Sequence, residues 1–127
     1  MSVVLASVAF WANAQLALAG DLGAPEIVKF KARFKRLKTS ERKQLDADLE
    51  AQKINDKEFL DRVLVDWELK DKAGEPVIYT ERQREELVED WDGLEEALVQ
   101  AYFEHMRKVR EALEVAKNSE LPSATTS

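Results

Sequence analysis

From Val8 to Leu18 the chain alternates. Val8, Phe10, Ala12, Ala14, Leu16 and Leu18 are apolar, and Trp11, Asn13 and Gln15 stand between them. A period of two predicts a strand buried on one face. "GDLGAP" at 20–25 is rich in turn residues. The alternation then resumes, with Val28, Phe30, Ala32 and Phe34 set against Lys29, Lys31, Arg33 and Lys35. Together the two segments predict a β-hairpin with one apolar face.

Beyond residue 38 the period lengthens. "TSERKQLDADLEAQK" (39–53) predicts a thinly apolar surface helix, with Thr39 or Ser40 as cap and Leu45 and Leu49 four apart. "INDKEFLDRVLVDWEL" (54–69) predicts a stronger one. Asn55 and Glu58 form a capping box, and Leu60, Val63, Leu64 and Trp67 form its stripe. Val65 and Leu69 fall off that stripe. Residues 70–79 read as a loop ending in an apolar knot, Val77, Ile78 and Tyr79, which either docks inside the monomer, the favoured reading, or forms a groove for another helix. Thr80 with Gln83 reads as another capping box.

Leu87, Trp91, Leu94, Leu98, Tyr102, Met106, Val109, Leu113 and Ala116 then recur about every 3.6 residues. One helix over 81–117 would run about 55 Å. A chain this size has a radius of gyration of about 14 Å, so such a helix would protrude. Asp92–Gly93 offers a break, with Asp92 as N-cap and Glu95 at N3. The expectation is a short helix over 81–91, a long one over 93–117 and a disordered tail, "SELPSATTS". The fold class is therefore α+β: an N-terminal β-hairpin followed by three to four helices, the last one long. Residues 1–118 form one domain and 119–127 the tail.

Charge changes the picture in one place. The 127 residues carry a net charge of −6, unevenly spread. Six bases and one acid lie in 26–38, whereas 39–127 hold 13 bases and 23 acids. The basic strand raises the alternative of a small nucleic-acid-binding accessory protein using residues 29–38. Stacking on bases wants aromatic and basic groups on one face, and here the phenylalanines alternate with the lysines. An acidic body also repels phosphate backbones. The strand reads as a core face backed by a solvated basic face, with no nucleic acid bound.

Candidate chemistry is sparse. The chain has no cysteine and a single histidine, so disulfides and thiolate chemistry are excluded. His105 sits at the edge of the apolar stripe and reads as a core-edge residue. Glu85, Glu86, Glu89, Asp90, Asp92, Glu95 and Glu96 could bind Mg²⁺ or Ca²⁺. Their helical spacing instead suits a solvated face. No phosphate loop or catalytic spacing is present, so no enzyme, cofactor or metal is expected. "ALAG" at 17–20 mimics a signal-peptidase site. Yet no base stands near Met1, and Asn13 and Gln15 interrupt the apolar run, so neither a secretory signal nor a membrane span is expected. Phe103, a large ring on the polar face among Glu96, Arg107, Arg110 and Glu114, is a candidate partner contact.

The order of segments resembles the tail assembly chaperones of long-tailed bacteriophages. The residues that carry the likeness are "FKARFKRLKTSER", "EFLDRVLVDWELKDKAGEPVIYT" and "ALVQAYFEHM" closing on "AKN", spanning about 26–118. The resemblance implies a non-enzymatic protein of the host cytoplasm, absent from the virion. It would coat the apolar, helical tape-measure protein until tail-tube protein polymerises around it. It also implies self-association into a homo-oligomer and a longer form of the same chain made by ribosomal frameshifting. Ala116-Lys117-Asn118 can be encoded GCA AAA AAC, which contains the slippery heptamer A AAA AAC. On this reading Phe103, Trp91 and Tyr79 contact the tape-measure protein. Lys29, Lys31, Arg33 and Lys35 face acidic stretches of a partner or neighbouring subunit.

Overall fold

The computed structural model describes residues 8–71 and 73–125, with side chains as far as 118. It is an α+β fold of three strands and four helices among these residues. β1 (Ala9–Ala19) and β2 (Pro25–Lys35) form the expected hairpin, paired antiparallel from Ala9↔Lys35 to Ala19↔Pro25. At the turn, Gly23 has φ +83, and a Cβ on Gly20 would run into the Ala24 carbonyl oxygen. Both positions therefore suit glycine.

The first correction lies in 54–69. The helix α2 (Asp56–Val63) stops at Val63, and Leu64–Glu68 is a third strand, β3, antiparallel to β2. The capping box is as expected: Asn55 Oδ1 accepts from Glu58 N–H, and Glu58 Oε1 accepts from Asn55 N–H. The stripe Leu60–Val63 was helical, but Leu64, Trp67 and Leu69 are inward residues of an extended segment. Val65 and Leu69 left the helical stripe for that reason. Val65 is the extra residue of a bulge between the pairs Phe34↔Leu64 and Arg33↔Asp66, and it is exposed.

The other differences are at helix ends. α1 (Thr39–Glu50) takes Lys38 as its N-cap, with no side-chain cap, so Thr39 and Ser40 are already helical. α3 (Glu81–Asp90) is capped at Thr80, whose Oγ1 accepts from Gln83 N–H, but this is a simple N-cap and not the expected reciprocal box with the Gln83 side chain. α4 (Leu94–Thr125) starts one residue later than expected. Its first turn closes from Ala97 N–H to the Gly93 carbonyl, so Gly93 (φ +83), and not Asp92, fills the cap position. The backbone stays helical past 117 to Thr125. The side chains of 119–127, where a disordered tail was expected, lie outside the described residues.

The sheet order is β1-β2-β3, and the helices cover one face. Ala12, Ala14, Leu16, Phe30, Ala32, Phe34 and Trp67 point into the core, where α4 lies along β1 and α2 packs between α4 and β2. Tyr102 is the hub. Its ring stands 5.1 Å from Phe59 and 5.3 Å from Phe34, both edge-on, and 5.4 Å from Phe103. Such tilted pairs add about 0.5–1.5 kcal/mol beyond their buried area.

Among the described residues one charged side chain is fully buried, and the sequence pattern did not single it out. Arg84 on α3 donates to the Tyr79 hydroxyl at 2.8 Å and to Asp61 Oδ1 on α2. Lys57 adds pairs to Asp61 at 3.2 Å and Glu85 at 3.4 Å. Partial burial opposes ionisation of Asp61, but the Arg84 and Lys57 hydrogen bonds outweigh it and hold its carboxyl below the usual range. A carboxylate so lowered stabilises the fold above its unfolded value of about 3.9 and loses that contribution as pH falls through the folded value. Acid titration followed by circular dichroism should therefore show a shallower loss of stability below about pH 4 for Asp61→Asn than for the parent. Identical acid limbs would remove the tie between α2 and α3 from the account.

Candidate functional site

The apolar stripe of α4 does not stop where the body of the protein stops. Within the body it is core: Leu94, Leu98 and Tyr102 are fully buried, and Met106 is partly so. From Arg107 to Asn118 every residue is exposed. The stripe runs on through Val109, Leu113 and Ala116. Val109 is 52% exposed and Leu113 57%, about what a helix shields of its own side chains. Residues 107–125 add about 28 Å of helix beyond the packed part.

From Tyr102 the spacing through Met106, Val109, Leu113 and Ala116 alternates four and three. That is the seam of a coiled coil, which asks for a facing helix. A lone helix gains nothing from an apolar seam, because propensity alone holds short helices marginally and packing supplies the rest. Arg110 and Lys117 flank the seam on one side. Arg107 pairs with Glu104 and Glu111 on the back of the helix, and this lowers the Glu104 carboxyl. Over 107–125 four bases stand against three acids, so the stem is close to neutral overall, with Arg110 and Lys117 along one flank of the seam.

Two concave surfaces adjoin the sheet, one of them shared with this helix. One, a cavity of about 820 Å³, lies against β1, β2 and α4, and its lining includes Lys29, Val99, Phe103 and Lys108. The other, of about 700 Å³, lies between β2 and the 69–79 segment. Its lining includes Val28, Lys29, Lys31, Trp67 and Tyr79. Trp67 Nε1 donates to the Val77 carbonyl at 2.7 Å, and Val77 N–H donates to the Leu69 carbonyl at 2.8 Å. These bonds fold the 77–79 knot onto the sheet, as expected, but Ile78 points outward and is 80% exposed.

The structure sorts the candidates. Phe103 is about a third exposed, at 36%, its ring resting 5.5 Å from Phe59, at the root of the stem. Tyr79 is half-buried, edge-on to Trp67 at 4.9 Å, and burial pushes its hydroxyl upward. Trp91 is 8% exposed and belongs to the core, because the chain turns inward where α3 ends. That takes its ring out of the candidate surface.

Lys29, Lys31, Arg33 and Lys35 lie on the outer face of the sheet, as expected. Arg33 stands opposite Asp66 and Lys31 opposite Glu68, so β3 offsets part of their charge. Trp11 shares this face, with the Arg33 guanidinium 5.8 Å from its ring. Its odd position in the alternation was the signal. His105 stacks on Phe10 at 4.6 Å. Burial, with Lys108 and Arg36 nearby, lowers its pKa, so it is a core-edge group held neutral.

Among the described residues, no group of three or more His, Asp or Glu side chains could hold a metal ion, and no helix is long and apolar enough to cross a membrane. Comparison of the chain with protein-family models, with curated proteins and with solved structures returned no match.

Proposed function

We propose that this protein is a non-enzymatic tail assembly chaperone of a long-tailed phage, which holds the tape-measure protein soluble in the host cytoplasm during tail morphogenesis. One observation carries the reading: a projecting helix, with Arg110 and Lys117 along one flank, bears an apolar seam that nothing among the described residues covers. The occupant of such a seam is another amphipathic helix. A tape-measure protein is a long rod of them.

Each subunit buries only a few side chains on the rod, at about 1.5–3 kcal/mol for each one fully buried. Single contacts are therefore weak and reversible. Repetition along the rod, among associated subunits, converts them into avidity while leaving each displaceable by tail-tube protein. Phe103 extends the seam at its root, and Arg110 and Lys117 favour acidic residues flanking the partner's stripe. A frameshifted longer form would diverge from this chain at about Asn118, within the same helix.

Co-expression with the tape-measure protein tests the reading. The expected result is that the tape-measure protein moves into the soluble fraction and co-purifies with this chain. Equal insolubility with and without it would overturn the proposal.

A second reading has one observation in its favour. Trp11 shares a face with Lys29, Lys31 and Arg33, an arrangement that suits stacking on single-stranded nucleic acid. Asp66 and Glu68 on the same face oppose it. Affinity for oligonucleotides that falls steeply with salt would favour this reading.

A further inference from the structure

The two edges of the sheet are built differently. β3 is guarded in three of the usual ways: it has five residues, a bulge, and the acids Asp66 and Glu68. β1 is the opposite edge, unpaired on its outer side among the described residues, with eleven residues, no bulge against β2, no proline and no charged side chain. An open strand of that kind is a template for another strand.

The open hydrogen-bonding groups can be identified. Arg36 N–H donates to the Val8 carbonyl at 2.8 Å, which places Val8 in a hydrogen-bonded pair with β2. Such pairs alternate along an antiparallel ladder. Phe10, Ala12, Ala14, Leu16 and Leu18 therefore also turn their amides and carbonyls toward β2. Ala9, Trp11, Asn13, Gln15, Ala17 and Ala19 turn theirs to the open edge.

We infer that β1 pairs antiparallel with β1 of a second copy, about a two-fold axis at Ala14, to give one six-stranded sheet. In this register Asn13 faces Gln15 of the other copy and Trp11 faces Ala17, so amide meets amide and a large ring meets a small side chain. On the inner face Ala12 meets Leu16, and Ala14 meets itself. All the open residues named above pair with open residues. An uncharged strand meets its own copy without repulsion, which the lysine-bearing β2 could not do. The stem of α4 is a poor alternative for self-pairing, because its flanking Arg110 and Lys117 would find no acid at the flanking positions of a second stem.

The edge is about 37 Å long and about 10 Å thick, or about 370 Å² per copy. That is roughly half of the ~800 Å² per partner in a stable interface, so the dimer is reversible and concentration-dependent. The inference stands on the sheet alone and is independent of what α4 binds.

Two experiments on the full chain test it. In sedimentation velocity, the parent should shift from one chain to two as concentration rises from micromolar to millimolar. The double variant Asn13→Glu, Gln15→Glu should stay monomeric. Within one copy its new carboxylates face Lys31 and Lys29, so the hairpin is kept. Across the two-fold they face each other.

The chain has no cysteine of its own, which makes cross-linking clean. An oxidised mixture of Asn13→Cys and Gln15→Cys chains should cross-link, whereas Ile27→Cys, away from the edge on β2, should not. A parent that is monomeric at every concentration, or a dimer untouched by the double glutamate variant, would overturn the inference. So would β1 amides that gain protection from hydrogen exchange only when another protein is added, which would give the edge to that protein.

Discussion

Replacing Val109 and Leu113 together with glutamine is expected to weaken binding to the tape-measure protein by about 10- to 150-fold per site and to leave the fold intact. Full burial of such a side chain is worth about 1.5–3 kcal/mol. Each is already close to half shielded by its own helix, at 52% and 57% exposed. The pair then contributes about 1.5–3 kcal/mol on docking, and each 1.4 kcal/mol is a tenfold change in affinity. Glutamine is a good helix former, so the stem persists. Substitutions at exposed positions away from special features shift stability by about 0.5 kcal/mol or less. Titration of an isolated tape-measure segment gives the per-site value, and thermal unfolding gives the control. Unchanged affinity would mean that the seam is not the contact.

Tyr102→Ala is expected to have the opposite profile. It removes the ring at the meeting point of Phe10, Phe34, Phe59 and Phe103, where sheet, α2 and α4 join. Aromatic-to-alanine changes in a core cost about 3–5 kcal/mol, a large part of the ~5–15 kcal/mol that holds a domain. Denaturant titration should show a sharply lower midpoint and, at physiological temperature, partial unfolding.

Tyr102→Phe is the informative partner. The hydroxyl is buried without a hydrogen-bond partner among the described residues, and burial with the nearby Asp46 charge pushes its pKa up to about 12. Removing a buried polar group that makes no bond should be neutral or slightly stabilising. The parent should also lose more stability than the phenylalanine variant as pH rises above about 10, where an unfolded tyrosine ionises and the folded Tyr102 does not; the raised Tyr79 acts equally in both. A phenylalanine variant markedly less stable than the parent would show that the hydroxyl is satisfied after all.

Much of this fold was legible along the chain, and the exceptions have physical causes. The hairpin was legible because Ala12, Ala14 and Leu16 alternate with Asn13 and Gln15 over a full strand length, and β2 repeats the pattern. α2 was legible at its start, where Asn55 and Glu58 cap it. Its end was not, because Leu60, Val63, Leu64 and Trp67 satisfy a helical period while Leu64, Trp67 and Leu69 also serve a bulged strand. β2 decides between the two by offering a ladder to Leu64–Glu68, and a nonlocal partner of that kind leaves no local trace.

The site divides similarly. The stripe of α4 was plain, but where the body would stop covering it depended on how far β1 and α2 reach along the helix. Trp91 reads as available in a linear stripe and is buried because α3 and α4 turn at Gly93. Arg84 lies in a run of charged residues, and only the arrival of Asp61 from α2 and the Tyr79 hydroxyl from the preceding loop makes it a core residue. Trp11 sat at an odd position throughout. Its place beside the lysines followed once β1 and β2 were paired in register.

The central claim is that the stem of α4 is the surface laid against the tape-measure protein. Hydrogen–deuterium exchange on the purified complex tests it directly. Amides from Met106 to Asn118 are expected to exchange rapidly in the isolated chain and to become strongly protected in the complex, with little change at Leu60, Phe34 or Leu98. A complex that forms while these stem amides exchange as before would contradict the account.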